Sequence, residues 1–128
     1  MLRKGPVSRL LHGVWEYLVG VLLIASPFLF DFDSDGATAV AIVLGVALIG
    51  LAAASEGISG LVNQVPLPAH AVVDYVVAGV LIASPFLFGF SDDAEPTALF
   101  IILGVVHLVL SIATRYLPAR VEDPATTI

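Results

Sequence analysis

Two short polar motifs carry the residue types in this chain that bind metals or transfer protons. His12 precedes Glu16 by four positions, and His70 precedes Asp74 by the same spacing. Residues four apart share one face of a helix, so each motif presents an imidazole beside a carboxylate. If the two segments pack together, the four groups converge and could bind a divalent transition metal or transfer protons. The structural alternative is a pair of ordinary helix starts, where acids favour the positive end and histidine pairs with them.

A third histidine, His107, lies near the middle of a long apolar segment, where the first half of the chain has Leu48. An ionisable side chain at that depth in a membrane faces protein or water, which makes it a functional candidate. The structural alternative is a neutral histidine bonded to Ser111 or to a facing helix. Haem ligation would need a second histidine at matching depth, and we expect His12 and His70 nearer the membrane surface.

An acidic segment, DFDSDG, resembles the start of a calcium-binding loop through Asp31, Asp33 and Asp35. The twelfth position of such a loop would be Ile42 instead of a bidentate glutamate, and the second copy, GFSDDAEP, lacks the spacing. A solvated acidic turn is therefore the favoured interpretation, with weak cation binding as the alternative.

Several classes of site are missing from the sequence. The chain has no cysteine, no Ser-His-Asp arrangement, no phosphate-binding glycine loop and no basic patch with interleaved aromatics. We therefore predict that the protein is not an enzyme, has no cofactor and does not bind nucleic acid.

Composition indicates which elements must position these residues. Of 128 residues, 59% are hydrophobic and only 12% are charged, far from soluble usage. Each of four apolar segments is close to the ~20 residues that a helix needs to cross a bilayer. The segments are Leu10–Phe30, Ala37–Ser55, Ala69–Phe88 and Pro96–Leu117. The sequence therefore predicts an all-α membrane protein with four transmembrane helices.

The chain also contains an internal repeat. Residues 12–32 align with residues 70–90, and 13 of the 21 pairs are identical. The repeating unit is a helical hairpin, so the two copies should run the same way through the bilayer as tandem, parallel-related hairpins. The predicted organisation is a basic N-terminus (1–9), repeat 1 (10–56), a connection (57–69), repeat 2 (70–117) and a tail (118–128).

The distribution of basic residues predicts orientation. Arg3, Lys4 and Arg9 precede the first span, whereas Arg115 and Arg120 follow the last. The positive-inside rule then places both termini in the cytoplasm and both acidic loops outside. We predict a multi-pass protein of the plasma membrane.

A Ser-Pro-Phe motif closes the first span of each repeat. Its residues are Ser26, Pro27 and Phe28, and again Ser84, Pro85 and Phe86. Proline removes one N–H and frees the carbonyl four residues earlier, which near a membrane surface can be met by water, headgroups or the preceding serine. We expect the motif to mark where the helix bends or unwinds into the acidic loop, with the phenylalanines as apolar anchors. A ligand groove at the two bent ends is the alternative.

Small residues are spaced for close helix packing, which in lipid drives association. The candidates are Ala41, Gly45, Gly50, Ala54, Gly79 and Ala83. They could pack within the bundle, between copies of the chain or against a larger partner.

Two helices per repeat, with Ser-Pro-aromatic in the first, resemble the SPW-repeat family of small membrane proteins. The resemblance covers roughly residues 11–116 as two tandem copies. One departure is that Phe28 and Phe86 stand where the family has tryptophan, which removes an indole N–H. The resemblance implies an integral membrane location and the hairpin-repeat architecture, and it lends no activity.

Together these observations favour a non-enzymatic membrane protein that acts as a structural or accessory subunit. Its partners would be the lipid bilayer and either further copies of itself or a larger membrane complex. The first alternative is a small ion or proton conductor or transporter that uses Glu16, Asp74 and His107. The second is a cofactor- or metal-binding membrane protein that uses the histidines.

Overall fold

A computed structural model of the protein describes residues 8–54 and 67–114, with the side chain of Leu67 left out. It contains four helices: α1 (Arg9–Leu29), α2 (Asp35–Ala54), α3 (Leu67–Leu87) and α4 (Ala94–Ala113). All four, with α3 counted from Pro68, are long and apolar enough to span a bilayer. The predicted all-α architecture is thus confirmed, and the chain is an integral membrane protein.

Some sequence predictions lie outside the described residues. These concern residues 1–7, 55–66 and 115–128, which include the basic residues Arg3, Lys4, Arg115 and Arg120. Within the described part, α1 packs closely against α2, and α3 packs closely against α4. The two hairpins meet through fewer contacts, between α1 and α4 and between α2 and α3. This arrangement is consistent with two tandem hairpins.

Each hairpin has a close crossing at an equivalent place. A Cβ atom added to Gly45 in α2 would lie 2.6 Å from the carbonyl oxygen of Gly20 in α1. In the second repeat, a Cβ added to Gly104 would lie 3.1 Å from the carbonyl oxygen of Ala78. Glycine at these positions therefore lets the two backbones of a hairpin approach closely.

The predicted packing residues divide into an inner and an outer group. Ala41 and Gly45 are buried, Gly45 against Gly20 of α1, and Ala54 and Ala83 are half-buried. Gly50 and Gly79 are exposed, and apart from the adjacent backbone of its own helix an added Cβ at either one has no described atom within 4 Å. Only the inner group thus packs within a hairpin of the described structure.

The Ser-Pro motif lies inside the helix, because α1 continues through Pro27 and ends at Leu29. The hydroxyl of Ser26 donates to the carbonyl of Leu23 at 2.8 Å. That carbonyl is the one that Pro27 leaves without a partner in the helix. The serine that precedes the proline satisfies it, which is one of the three partners that the sequence analysis offered. In the second repeat the hydroxyl of Ser84 donates one residue earlier, to the carbonyl of Val80.

A left-handed residue turns the chain out of each of these helices. Asp31 has φ 50° and its counterpart Gly89 has φ 71°. The N–H of Phe32 then donates to the carbonyl of Pro27 at 3.2 Å, and the equivalent bond closes the second copy at 2.9 Å. This pattern is a Schellman-type helix end, in which glycine is preferred at the left-handed position. Residues 23–32 and 81–90 therefore differ only at the position where the chain adopts the left-handed conformation.

Apolar side chains fill the half of the bundle near these turns. Leu23 and Leu81 are fully buried, and the rings of Phe90 and Phe100 pack edge to face with centroids 5.2 Å apart. The other phenylalanines of the two motifs face outward, except for the half-buried Phe32. The exposed ones are Phe28, Phe30, Phe86 and Phe88. Polar chemistry is thereby concentrated at the opposite end of the bundle.

Candidate metal centre

The five predicted polar residues come together at the end of the bundle where α1 and α3 begin. His12 and Glu16 project from α1, His70 and Asp74 from α3, and His107 from α4; none is more than 6% exposed. His12 lies three residues into α1, which places it about 4.5 Å along the axis from the helix start. The structure thus brings together the two histidines and two carboxylates whose meeting the sequence analysis made conditional on packing of the two repeats.

The two histidines and two carboxylates form a closed ring of alternating nitrogen and oxygen atoms. Nε2 of His12 lies 2.9 Å from Oε1 of Glu16 and 3.0 Å from Oδ2 of Asp74. Nε2 of His70 lies 2.6 Å from the same oxygen of Glu16 and 3.1 Å from that of Asp74. Two of these four contacts join α1 to α3, so the ring links the two hairpins.

The ring has nearly the dimensions of a four-coordinate metal site. One ligand atom from each residue lies within 4.8 Å of all the others. Metal–ligand bonds of ~2.0–2.1 Å in a tetrahedron place ligand atoms about 3.3 Å apart. The N···O contacts therefore need to lengthen by about 0.2–0.7 Å when an ion replaces the shared protons.

A hydrogen bond to Thr114, the residue that follows α4, fixes the ring orientation of His12. The hydroxyl of Thr114 donates to the carbonyl of Leu110 at 2.5 Å, so its oxygen is left to accept. Nδ1 of His12 lies 2.7 Å from that oxygen and donates its proton to it. Nε2 therefore faces the carboxylates, and a bonded outer nitrogen of this kind is typical of histidines that bind metals.

A second chain of hydrogen bonds reaches the site through His107. The indole Nε1–H of Trp15 can only donate, and it lies 3.1 Å from Nδ1 of His107. His107 therefore accepts at Nδ1 and carries its proton at Nε2, which donates to Oδ1 of Asp74 at 3.2 Å. This leaves Oδ2 of Asp74 as the inward-facing oxygen.

One polar atom in the cluster lacks a partner. Glu16 is fully buried, and its Oε2 makes no hydrogen bond to any described residue. In the second repeat the corresponding carboxylate oxygen is bonded by His107, whose counterpart in the first repeat is the apolar Leu48. An unsatisfied buried carboxylate oxygen is costly and indicates either a bound cation or a missing partner.

The charges of the cluster define what it can do. Two carboxylates have been removed from water, and buried charges of this kind must be paired or must coordinate metals. Shared protons on the histidines balance them in one state, whereas a divalent cation balances them in another. Imidazole nitrogen mixed with carboxylate oxygen suits zinc, iron or manganese, and calcium prefers an all-oxygen shell.

The depth of His107 relative to the other histidines differs from the expectation, whereas its bonds to facing helices are one of the two alternatives that the sequence left open. Its ring centroid is 5.7 Å from that of His12, so the histidines are not separated in depth as expected. Their proximity follows from α4 running antiparallel to α1, with position 107 only six residues from the end of α4 at Ala113. The ring contacts Trp15 and Asp74, whereas the hydroxyl of Ser111 has no partner among the described residues.

The acidic loop does not assemble in the same way. Asp31, Asp33 and Asp35 are exposed, and among the described residues only the buried cluster brings suitable ligand atoms together. Instead, Oδ2 of Asp93 accepts the backbone N–H groups of Asp33 and Ser34 at 3.0 Å each. The two acidic loops are thus joined to each other by hydrogen bonds.

Sequence reasoning missed Trp15 and Thr114. Trp15 is the only tryptophan in the chain and lies beside Glu16 in a motif whose second copy has Val73 at that position. That difference between the repeats was a signal that Trp15 and His107 belong together, because both are polar residues that have an apolar counterpart in the other repeat. Thr114 gave no comparable signal, since its role depends on how α4 ends beside α1.

Comparison with known proteins agrees with the repeat architecture. Residues 10–114 match the family model described as the SPW repeat domain. A search of curated proteins and a search of solved structures each returned no match. Because the match covers most of the chain, this protein belongs to the SPW repeat domain family.

Proposed function

We propose that this protein is a non-enzymatic integral membrane protein that binds one divalent transition-metal ion between its two hairpins. The ligands are His12, Glu16, His70 and Asp74. The observation that carries the proposal is the ring of four inward-facing ligand atoms from two helices, with one carboxylate oxygen left unpartnered. A divalent ion would neutralise the two carboxylates and cross-link α1 to α3.

The distribution of polar residues supports binding over conduction. Beyond the cluster, most buried side chains are apolar, such as Val19, Leu23 and Leu81. The buried hydroxyls of Ser26 and Ser84 at the other end donate to carbonyls of their own helices. An ion or proton pathway needs polar groups or water along its length, and in the described interior such groups are concentrated at one end. A site that holds an ion near the surface fits this arrangement better than a pore.

The accessory role, the absence of enzymatic activity and self-association remain parts of the proposal, resting on the sequence. The same is true of the plasma-membrane location and of cytoplasmic termini. Arg9, at the start of α1, is the basic residue of that argument that lies within the described helices. On that orientation the metal site lies at the cytoplasmic end of the bundle.

Equilibrium dialysis tests the proposal directly. The full chain is purified in detergent, stripped with a chelator and dialysed against Zn²⁺, after which zinc per chain is measured by mass spectrometry. We expect one tightly bound ion, and none in the double variant His12→Ala, His70→Ala. The matched control, Asp33→Ala with Asp35→Ala, removes two exposed carboxylates and should still bind one ion. Equal zinc in the histidine double variant and the wild type would refute the site.

A further inference from the structure

The two halves of the metal site are equivalent in their ligands but not in what surrounds them. His12 and Glu16 correspond to His70 and Asp74, so the inward-facing atoms obey the repeat. Outside them, the first repeat places Leu48 where the second has His107, and the second repeat places Val73 where the first has Trp15. The hydrogen-bond chain Trp15–His107–Asp74 therefore exists on one side only.

We propose that Trp15 and His107 are positioning residues that hold Asp74 as a fixed ligand with a single available oxygen, while Glu16 remains the adaptable ligand. This inference rests on the proposed function and deepens it. His107 occupies Oδ1 of Asp74 through its Nε2–H. Its tautomer is set by Trp15, whose indole can donate and not accept.

The adaptable character of Glu16 follows from its free oxygen. Oε1 faces both histidines, and Oε2 has no partner among the described residues. Nothing in those contacts holds Oε2 away from a bound ion, so Glu16 can coordinate through one oxygen or both. The site then has two nitrogens, one oxygen from Asp74 and one or two oxygens from Glu16.

Burial strengthens the positioning effect. Asp74 and His107 are both fully buried. Removing the donor at position 107 therefore leaves Oδ1 of Asp74 without a ready replacement from water, which carries a desolvation penalty. Groups that hydrogen-bond to metal ligands set ligand orientation, and their removal typically lowers metal affinity by about 10- to 100-fold. Loss of the bond also removes a donor that competes with the ion for Oδ1 of Asp74.

Cobalt titration of four variants tests this inference. The purified full chain is titrated with Co²⁺, whose visible absorption reports affinity and weakens as coordination rises above four. The variants are His107→Leu, His107→Gln, Trp15→Phe and Leu48→Ala. Glutamine keeps an N–H donor at position 107, and Leu48→Ala perturbs the equivalent buried position in the first repeat without touching the hydrogen-bond chain.

For His107→Leu we expect affinity to fall by about 10- to 100-fold, with weaker visible absorption per bound ion as Asp74 gains a second bond. His107→Gln should recover most of both properties, and Trp15→Phe should lower affinity by a smaller factor. Leu48→Ala should leave both properties unchanged even where it lowers stability, because it leaves the bond from His107 to Asp74 in place. If His107→Leu fails to fold, His107→Gln and Trp15→Phe carry the comparison.

The outcomes separate the two levels of the argument. Wild-type affinity and an unchanged cobalt spectrum in His107→Leu would overturn the positioning role alone. If His107→Leu does not fold, the same result in Trp15→Phe would overturn it. A wild-type chain that binds no Co²⁺ would overturn the proposed function and the positioning role with it.

Discussion

Replacing Gly45 by alanine should separate α1 from α2 at their closest point. The added Cβ would lie 2.6 Å from the carbonyl oxygen of Gly20 and 2.7 Å from Cγ1 of Ile24. The isoleucine side chain can turn away, but the carbonyl belongs to the backbone of α1. Because ordinary Cβ contacts begin near 3.4 Å, the helices must part locally by about 0.8 Å, the difference between those two distances, at a cost typical of overpacking.

A control substitution in the same helix isolates the free-energy cost of overpacking. Gly50→Ala adds the same methyl group, which apart from the adjacent backbone of α2 has no described atom within 4 Å. Both substitutions gain about 1 kcal/mol of intrinsic helix preference, so the difference between them reports overpacking alone. We expect Gly45→Ala to have a free energy of unfolding lower than that of Gly50→Ala by about 1–3 kcal/mol.

Reversible unfolding in mixed micelles, followed by circular dichroism, measures this difference. Gly104→Ala tests the second hairpin, where the added Cβ would lie 2.7 Å from Cγ1 of Ile82. We expect a smaller loss there, because the nearest backbone atom is farther away. Equal unfolding free energies for Gly45→Ala and Gly50→Ala would refute the close crossing.

Three further predictions concern the turns and the metal site. Asp31→Gly should raise the free energy of unfolding by about 0.5–1 kcal/mol, because glycine tolerates the left-handed conformation. Gly89→Ala should lower the free energy of unfolding by about 1 kcal/mol for the same reason. No change in the same unfolding assay would contradict both predictions. Asp93→Ala should lower the free energy of unfolding by about 1 kcal/mol, because two hydrogen bonds to the other loop are lost. The control Asp92→Ala, at an exposed position, should leave the free energy of unfolding unchanged. Equal effects of the two substitutions would contradict this prediction. Zinc affinity measured by dialysis should fall on acidification by about tenfold per pH unit for each proton the ion displaces, because both histidines must lose the proton on Nε2; a pH-independent affinity would contradict it.

The sequence predicted the four spans and made convergence of the polar motifs conditional on packing of the two repeats. Span length follows from bilayer thickness, and the meeting of His12 with His70 follows from duplication of one hairpin. The predicted separation in depth between His107 and the other two histidines was wrong, since position along a span does not show where an antiparallel neighbour begins. The bond from Trp15 to His107 depends on how α1 faces α4, which single-sequence periodicity does not specify.

X-ray absorption at the zinc edge of the zinc-loaded protein tests the central claim most directly. We predict a shell of nitrogen and oxygen atoms at ~2.0–2.1 Å with the outer-shell scattering of two imidazoles. That scattering should disappear in the variant His12→Ala, His70→Ala. An all-oxygen shell without imidazole scattering in the wild type would contradict the account.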